Sequence, residues 1–93
     1  MLAVLKRAEA LARQAGGRLV VFGSVVEGGF TEQSDIDVLL LDVAAPDDWD
    51  VAVKIDTMIS LAGFRADVMP ARFVPESLKS RALANGREPS ALG

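Results

Sequence analysis

Two Asp-x-Asp pairs stand out in the chain, Asp35/Asp37 and Asp48/Asp50. Eight of the 93 residues are Asp, so about 0.7 such pairs arise by chance and the spacing alone carries little. The element under each pair separates them. On a strand, residues i and i+2 share a face with Cβ atoms about 6–7 Å apart, whereas on a helix they point about 200° apart. Asp35 and Asp37 open a strand-like run, DIDVLLL, and their carboxylates converge. Asp48 and Asp50 fall in the first turn of a helix and diverge; they read as solvated partners of the helix dipole. Asp37 resists so simple a reading. It follows Ile36 inside an apolar run, where a carboxylate is costly unless paired or bound to a metal, and no Lys or Arg occurs between Arg18 and Lys54. Asp67, between Ala66 and Val68, lies in a further strand-like run. Were the two strands neighbours, three carboxylates would meet on one sheet face and raise one another's pKa. A hard divalent cation reverses that repulsion, and Mg²⁺ favours one or two carboxylates plus substrate phosphates. The alternative for Asp67 is an ion pair with Arg65 or Arg72.

The second chemical feature is the Gly23-Ser24 turn. Ser24-Val25-Val26-Glu27 fits a capping box, with Ser at the helix cap and Glu three residues on. The same geometry offers free N–H groups to a phosphate, and a Gly lets the backbone approach closely. The chain has neither a Gly-Lys-Ser/Thr phosphate loop nor a Gly-x-Gly-x-x-Gly turn. A phosphate turn beside a carboxylate pair points to a metal–nucleoside triphosphate site.

Composition narrows the remaining chemistry. There is no Cys and no His, which excludes disulfides, thiolate zinc, a Cys nucleophile, an imidazole base and a Ser-His-Asp triad. Carboxylates, hydroxyls, backbone N–H groups and a hard metal ion must do any catalysis. The net charge of −3 argues against a face that grips nucleic acid by its backbone. Uninterrupted apolar runs such as Val38 to Leu41 are far short of a membrane span. At the N-terminus the apolar residues precede Lys6 and Arg7, which reverses the order of a secretory signal, so a cytoplasmic location is expected.

The elements that must position these residues follow from periodicity. Leu2, Leu5, Ala8, Leu11, Ala12 and Ala15 form a helical stripe over 2–15, with Lys6, Glu9 and Arg13 off it, and Gly16-Gly17 stops the helix. Leu19 to Phe22 reads as a buried strand and Gly23 to Ser34 as a loop. Asp35 to Leu41 reads as a second strand. Pro46 suits a helix start, Val51, Ile55, Met58, Ile59 and Ala62 carry that helix's stripe, and Gly63 ends it. Phe64 to Met69 alternates as a third strand closed by Pro70. Pro75 to Ala84 reads as a final helix stopped by Asn85-Gly86, and 87–93 as a frayed tail. This order, with no repeat and no linker, describes one domain over 1–93. Its fold class is α/β (α+β), a small mixed sheet with helices on one face. Leu39 and Leu41 share the face of Asp35 and Asp37, and need cover from the final helix or from another protein.

At this point the chain resembles the minimal nucleotidyltransferases of the DNA polymerase β-like superfamily. The stretch FGSVVEGGFTEQSDIDVLL, residues 22–40, carries Gly23-Ser24, ten residues, then Asp35-x-Asp37, and FRADVM, residues 64–69, carries a third Asp. The resemblance implies a polymerase-β-like fold with its active site on the open sheet face. Asp35 and Asp37 would bind Mg²⁺, Gly23 and Ser24 would hold the β/γ-phosphates, and Asp67 would bind the catalytic metal and help deprotonate the attacking hydroxyl. The implied reaction transfers AMP from ATP to a hydroxyl with two Mg²⁺ ions. The implied partner is a small helical HEPN toxin, whose tyrosine is the acceptor; no nucleic acid or membrane partner is expected. A non-catalytic antitoxin and a regulatory nucleotide-binding module are the alternatives. Many relatives carry a basic residue just after Gly-Ser, where this chain has Val25, Val26 and Glu27. Arg13, Arg18, Arg65 and Arg72 are the candidates to replace it.

Overall fold

The computed structural model describes residues 1–28 and 34–92. Residues 29–33, inside the expected 23–34 loop, and Gly93, the end of the expected tail, lie outside the described residues. The elements run α1 (Leu2–Gln14), β1 (Arg18–Phe22), α2 (Ser24–Glu27), β2 (Ile36–Leu41), α3 (Asp47–Leu61), β3 (Ala66–Pro70), a 3₁₀ turn (Ala71–Phe73), α4 (Glu76–Asn85) and a second 3₁₀ turn (Pro89–Ala91). The strands lie in the order β1-β2-β3, β1 antiparallel to β2 and β2 parallel to β3.

Strand alternation divides the core. Leu19 and Val21 of β1 and Ile36, Val38 and Leu40 of β2 point to one face. There they join Val4, Leu5, Ala8 and Ala12 of α1 and Val51, Ala52, Ile55 and Ile59 of α3 in one buried cluster. The helical stripes of α1 and α3 thus meet the continuous apolar side of the sheet, and each fully buried Leu or Ile there contributes about 1.5–3 kcal/mol. The opposite face carries a smaller cluster of Val20, Leu39, Leu41 and Ala82 of α4, edged by Phe22, Ala71 and Val74. The chain's own last helix therefore covers Leu39 and Leu41, so their apolar character no longer calls for another protein.

Gly86 explains how α4 comes so close. It ends α4 with φ −78° and ψ 170°, so no left-handed turn calls for glycine here. A Cβ would instead strike the Ala82 carbonyl, Val20 Cγ1 and the Val21 carbonyl. The next residue pairs with β1: Val21 N–H donates to the Arg87 carbonyl at 2.8 Å and Arg87 N–H to the Val21 carbonyl at 2.9 Å. Pro89 is buried, and Ser90 Oγ donates to Glu9 Oε2 at 3.3 Å. Residues 87–92 are thus tied down rather than frayed. Glu9, which periodicity places off the apolar stripe, is 5% exposed because this segment lies over it.

A second lock joins α3 to the chain after β3. Asp48 is 4% exposed, and its carboxylate accepts from Arg72 Nε at 2.6 Å, from Arg72 Nη2 at 3.1 Å and from Trp49 N–H at 2.8 Å. The Arg72 guanidinium also lies 4.1 Å from the Phe73 ring centroid, and Phe73 meets Trp49 edge-on at 5.7 Å. The expected solvated Asp48 is therefore a buried ion-pair partner; tertiary contact with the 3₁₀ turn overrides its position on a helix's first turn.

Two outcomes follow. Gly86→Ala overpacks the α4–β1 contact and destabilises the fold by about 1–3 kcal/mol, read from the urea midpoint. Arg72→Leu lowers the midpoint at pH 7. Its guanidinium hydrogen bonds hold the Asp48 pKa below the ordinary carboxylate value, so the pair stabilises the fold above the unfolded value of about 3.9. That contribution disappears as pH falls through the lowered folded value, and the gap between variant and wild type should close with it.

Candidate active site

Register builds the site. Phe22 of β1 pairs with Asp37 of β2, and Asp37 pairs with Asp67 of β3, so the three form one row across the sheet face that α4 partly covers. The next row, Val20, Leu39 and Met69, is the apolar floor beside it. Asp35 lies just before β2 on the same face by alternation, but its carboxylate is drawn to Arg65, whose Nε lies 3.0 Å from Asp35 Oδ1. The pair sits where β2 and β3 begin side by side, with Ile36 N–H donating to the Arg65 carbonyl at 2.8 Å.

Asp37 is half-buried. Burial raises its pKa first, and the neighbouring charges of Asp67 and Asp35 add to the shift. The proposed ion pair of Asp67 with Arg65 or Arg72 does not form, since Arg72 goes to Asp48 and Arg65 to Asp35; among the described residues Asp67 makes no ion pair.

The Gly23 turn approaches Asp37 from β1. Gly23 has φ +77°, a conformation that L side chains rarely adopt, and a Cβ there would collide with Asp37 Oδ2. Backbone geometry thus calls for glycine, and any side chain here would push the Asp37 carboxylate aside. Gly23 is the N-cap of α2, its carbonyl accepting from Val26 and Glu27 N–H at 3.1 and 2.9 Å. Ser24 is therefore the first helical residue rather than the cap, and glycine at the cap has no side chain to donate or accept. The capping box is displaced by one residue and does not form.

A cleft of about 190 Å³ opens above this row. Gly23, Phe22, Asp37 and Glu27 line one side, and Leu78, Arg81, Ala82 and Asn85 of α4 line the other. Asp67 borders a second cleft, toward Trp49, Val53 and Asp56 of α3 at the open β3 edge.

The sequence candidates for a replacement cation lie elsewhere or are engaged. Arg13 bonds Glu9 and Glu88, Arg18 pairs with Asp42 and Glu88, Arg72 holds Asp48, and Arg65 holds Asp35. Arg81, absent from that set, lines the cleft. Leu78, Arg81, Ala82 and Asn85 recur at i, i+3, i+4 and i+7, so helical spacing puts Arg81 on one face with Leu78 and Ala82, but only the packing of α4 shows what that face meets.

Among the described residues, no group of three or more Asp, Glu, His or Cys side chains is gathered to hold a metal ion. The donors nevertheless fit a hard divalent cation. Asp37 and Asp67 are register neighbours whose mutual repulsion a cation would relieve, and two carboxylates completed by substrate phosphates match the preference of Mg²⁺.

A mixed sheet with helices packed on it makes this an α+β protein, and its likeness to solved nucleotidyltransferase folds is of the polymerase-β-like type. The nucleotidyltransferase domain profile matches residues 4–88, and the chain belongs to that family. No curated protein sequence matches it. Among solved structures, one described as a minimal nucleotidyltransferase superposes with a TM-score of 0.75 at 24% identity, covering 91% of this chain and 88% of that one. Another is an aspartate-to-glutamate double mutant of the toxin–antitoxin MntA-HpeT, with a TM-score of 0.67 at 19% identity, covering 91% of this chain and 71% of that one. At these identities the likeness is one of fold.

The site carries a cost that can be measured. Because the Asp37 pKa is raised in the folded protein, its ionisation opposes folding: stability is fully present below the unfolded value of about 3.9 and declines as pH rises through the folded value. In metal-free buffer, Asp37→Asn should melt above wild type at pH 7, and the difference should vanish toward pH 3.5.

Proposed function

We propose that this protein is a Mg²⁺-dependent nucleotidyltransferase that transfers AMP from ATP to a protein hydroxyl, a tyrosine of a HEPN-type toxin, and serves as that toxin's antitoxin. The observation that carries the reading is the Gly23 backbone seated on the Asp37 carboxylate, with Asp67 beside it in register. A phosphate turn and the metal-binding acids belong together in a nucleotidyl-transfer site, and membership of the nucleotidyltransferase family accords with this.

In this reading Asp37, Asp67 and Asp35 would hold Mg²⁺. Bound there, Mg²⁺ supplies charge neutralisation to the triphosphate and acidity to the attacking hydroxyl. Gly23 and Ser24 present backbone to the β/γ-phosphates, where a side chain at position 23 would obstruct both phosphate and Asp37. Asp67 stands beside Asp37 on β3, an edge strand of the sheet, so an acceptor hydroxyl approaching that edge can pass it a proton. The hydroxyl oxygen then forms its bond to the α-phosphorus as the bond to the bridging oxygen breaks, and pyrophosphate leaves with that electron pair. Positioning and electrostatics supply most of the acceleration. The solved MntA-HpeT toxin–antitoxin, whose fold this chain shares, supports the choice of partner.

Glu27 on the cleft wall favours a second reading, an antitoxin that neutralises by binding alone, because a carboxylate there repels a triphosphate. Labelled ATP and the co-expressed partner separate the two. Catalysis predicts Mg²⁺-dependent label on the partner, lost by at least about a hundredfold in Asp37→Ala. No transfer by wild type, or undiminished transfer by the variant, overturns it.

A further inference from the structure

We infer that Arg81 of α4 is the cation that grips the triphosphate, replacing from across the cleft the basic residue that the turn after Gly23-Ser24 lacks. The inference rests on the nucleotidyltransferase reading above and assigns to that site a ligand on a different element.

Arg81 shares its cleft with Gly23 and Asp37, the two groups around which the site is built. Among the described residues it makes no ion pair, whereas Arg13, Arg18, Arg65 and Arg72 are each held by carboxylates. Arg7 and Lys54 line a groove between α1 and α3 instead, and those helices cover the other face of the sheet. Of the lysines and arginines among the described residues, Arg81 is the one that lines this cleft, which places it to answer a triphosphate at the Gly23 turn.

The surroundings explain why one is needed. Glu27 and Asp37 put two carboxylates on the same cleft. A Mg²⁺ held by Asp37 would offset charge there, and a guanidinium on the same cleft would offset that of Glu27. The guanidinium's planar fork can also donate two parallel N–H bonds to a pair of phosphate oxygens, a bidentate geometry that a compact ammonium does not match. The cleft, at about 190 Å³, is smaller than the roughly 300–1,000 Å³ that enclose a drug-sized ligand. It therefore suits the phosphate end of a nucleotide, with the nucleoside directed outward.

The position is also stable. Ala82, the next residue, is 1% exposed and sits in the cluster with Val20, Leu39 and Leu41, and Gly86 seats the end of the helix on β1. The Arg81 backbone is thereby anchored to the strands that carry Gly23 and Asp37, while its side chain remains exposed and replaceable without loss of core.

Calorimetric titration of the full chain with ATP and with AMP, each in Mg²⁺, tests the assignment in wild type, Arg81→Ala, Arg81→Gln and Arg81→Lys. Wild type should favour ATP over AMP. Arg81→Ala and Arg81→Gln should lose about tenfold or more in ATP affinity, with little change for AMP, so that the ATP/AMP preference collapses. Arg81→Lys should recover part of it, keeping charge without the fork. A merely structural role would weaken both nucleotides together. Melting curves without ligand establish that each variant is folded; Arg81→Gln is read in place of Arg81→Ala if the latter melts early. An unchanged ATP/AMP ratio in folded variants overturns the role of Arg81 and leaves the nucleotidyltransferase reading standing. Failure of wild type to bind ATP overturns both.

Discussion

A carboxylate held in an apolar strand needs either a counter-charge or room to reach one, and here the room is made by a missing side chain. Asp37 lies in β2 between residues of the main core, and the surface its oxygen rests on is the bare Cα of Gly23. Because β1 is antiparallel to β2, the chain leaves β1 opposite Asp37 and turns directly over its carboxylate. Because β3 is parallel to β2, Asp67 arrives alongside. A slip of one residue in either pairing would send one of these groups to the opposite face, into the layer of α1 and α3. The chemistry of the site therefore depends on strand register, and register depends on the alternation of apolar residues beneath it.

The two faces of the sheet have unequal tasks. The face under α1 and α3 holds the larger core and supplies most of the burial. The other face gives part of its area to the acidic row, so its apolar cover is thin: Ala82 of α4 on Val20, Leu39 and Leu41. Small residues make that thin layer workable. Ala82 and Gly86 let a helix lie against strands at close range, and the pairing of Arg87 with Val21 fixes where it ends. The cleft beside Asp37 is the space left over when a narrow helix covers only the apolar portion of this face.

Charge is handled in local groups, one of which links Glu9, Arg13, Glu88, Arg18 and Asp42 in series. Asp48 takes Arg72, Asp35 takes Arg65, and Glu9 and Glu88 share Arg13. Each removes an acid or a base from competition for the site. Asp37 and Asp67 remain as neighbouring acids, an arrangement unfavourable to the empty fold and favourable to a cation. That is a pattern expected where function, not stability, selects residues.

Much of this was legible in the chain itself. Helical stripes, glycine stops and strand alternation set out the three strands and the three longer helices to within a residue or two, though not the short α2 in the expected 23–34 loop, and the placement of Asp37 after Ile36 in an apolar run marked it as an acid that needed a reason. Those are properties of nearest neighbours, and local periodicity records them. Long-range pairing decided the rest. Asp48 looked like a surface acid until the turn after β3 brought Arg72 to it. Residues 87–92 looked loose until β1 supplied a hydrogen-bonding edge. Arg81 acquired meaning only when α4 folded across to face Gly23, and Asp35 turned to Arg65 because parallel pairing set their strand entries side by side. The one-dimensional pattern determines which side of an element a residue occupies; which element lies opposite is settled by tertiary packing, since contacts between distant segments form only when burial offsets the entropy of bringing them together.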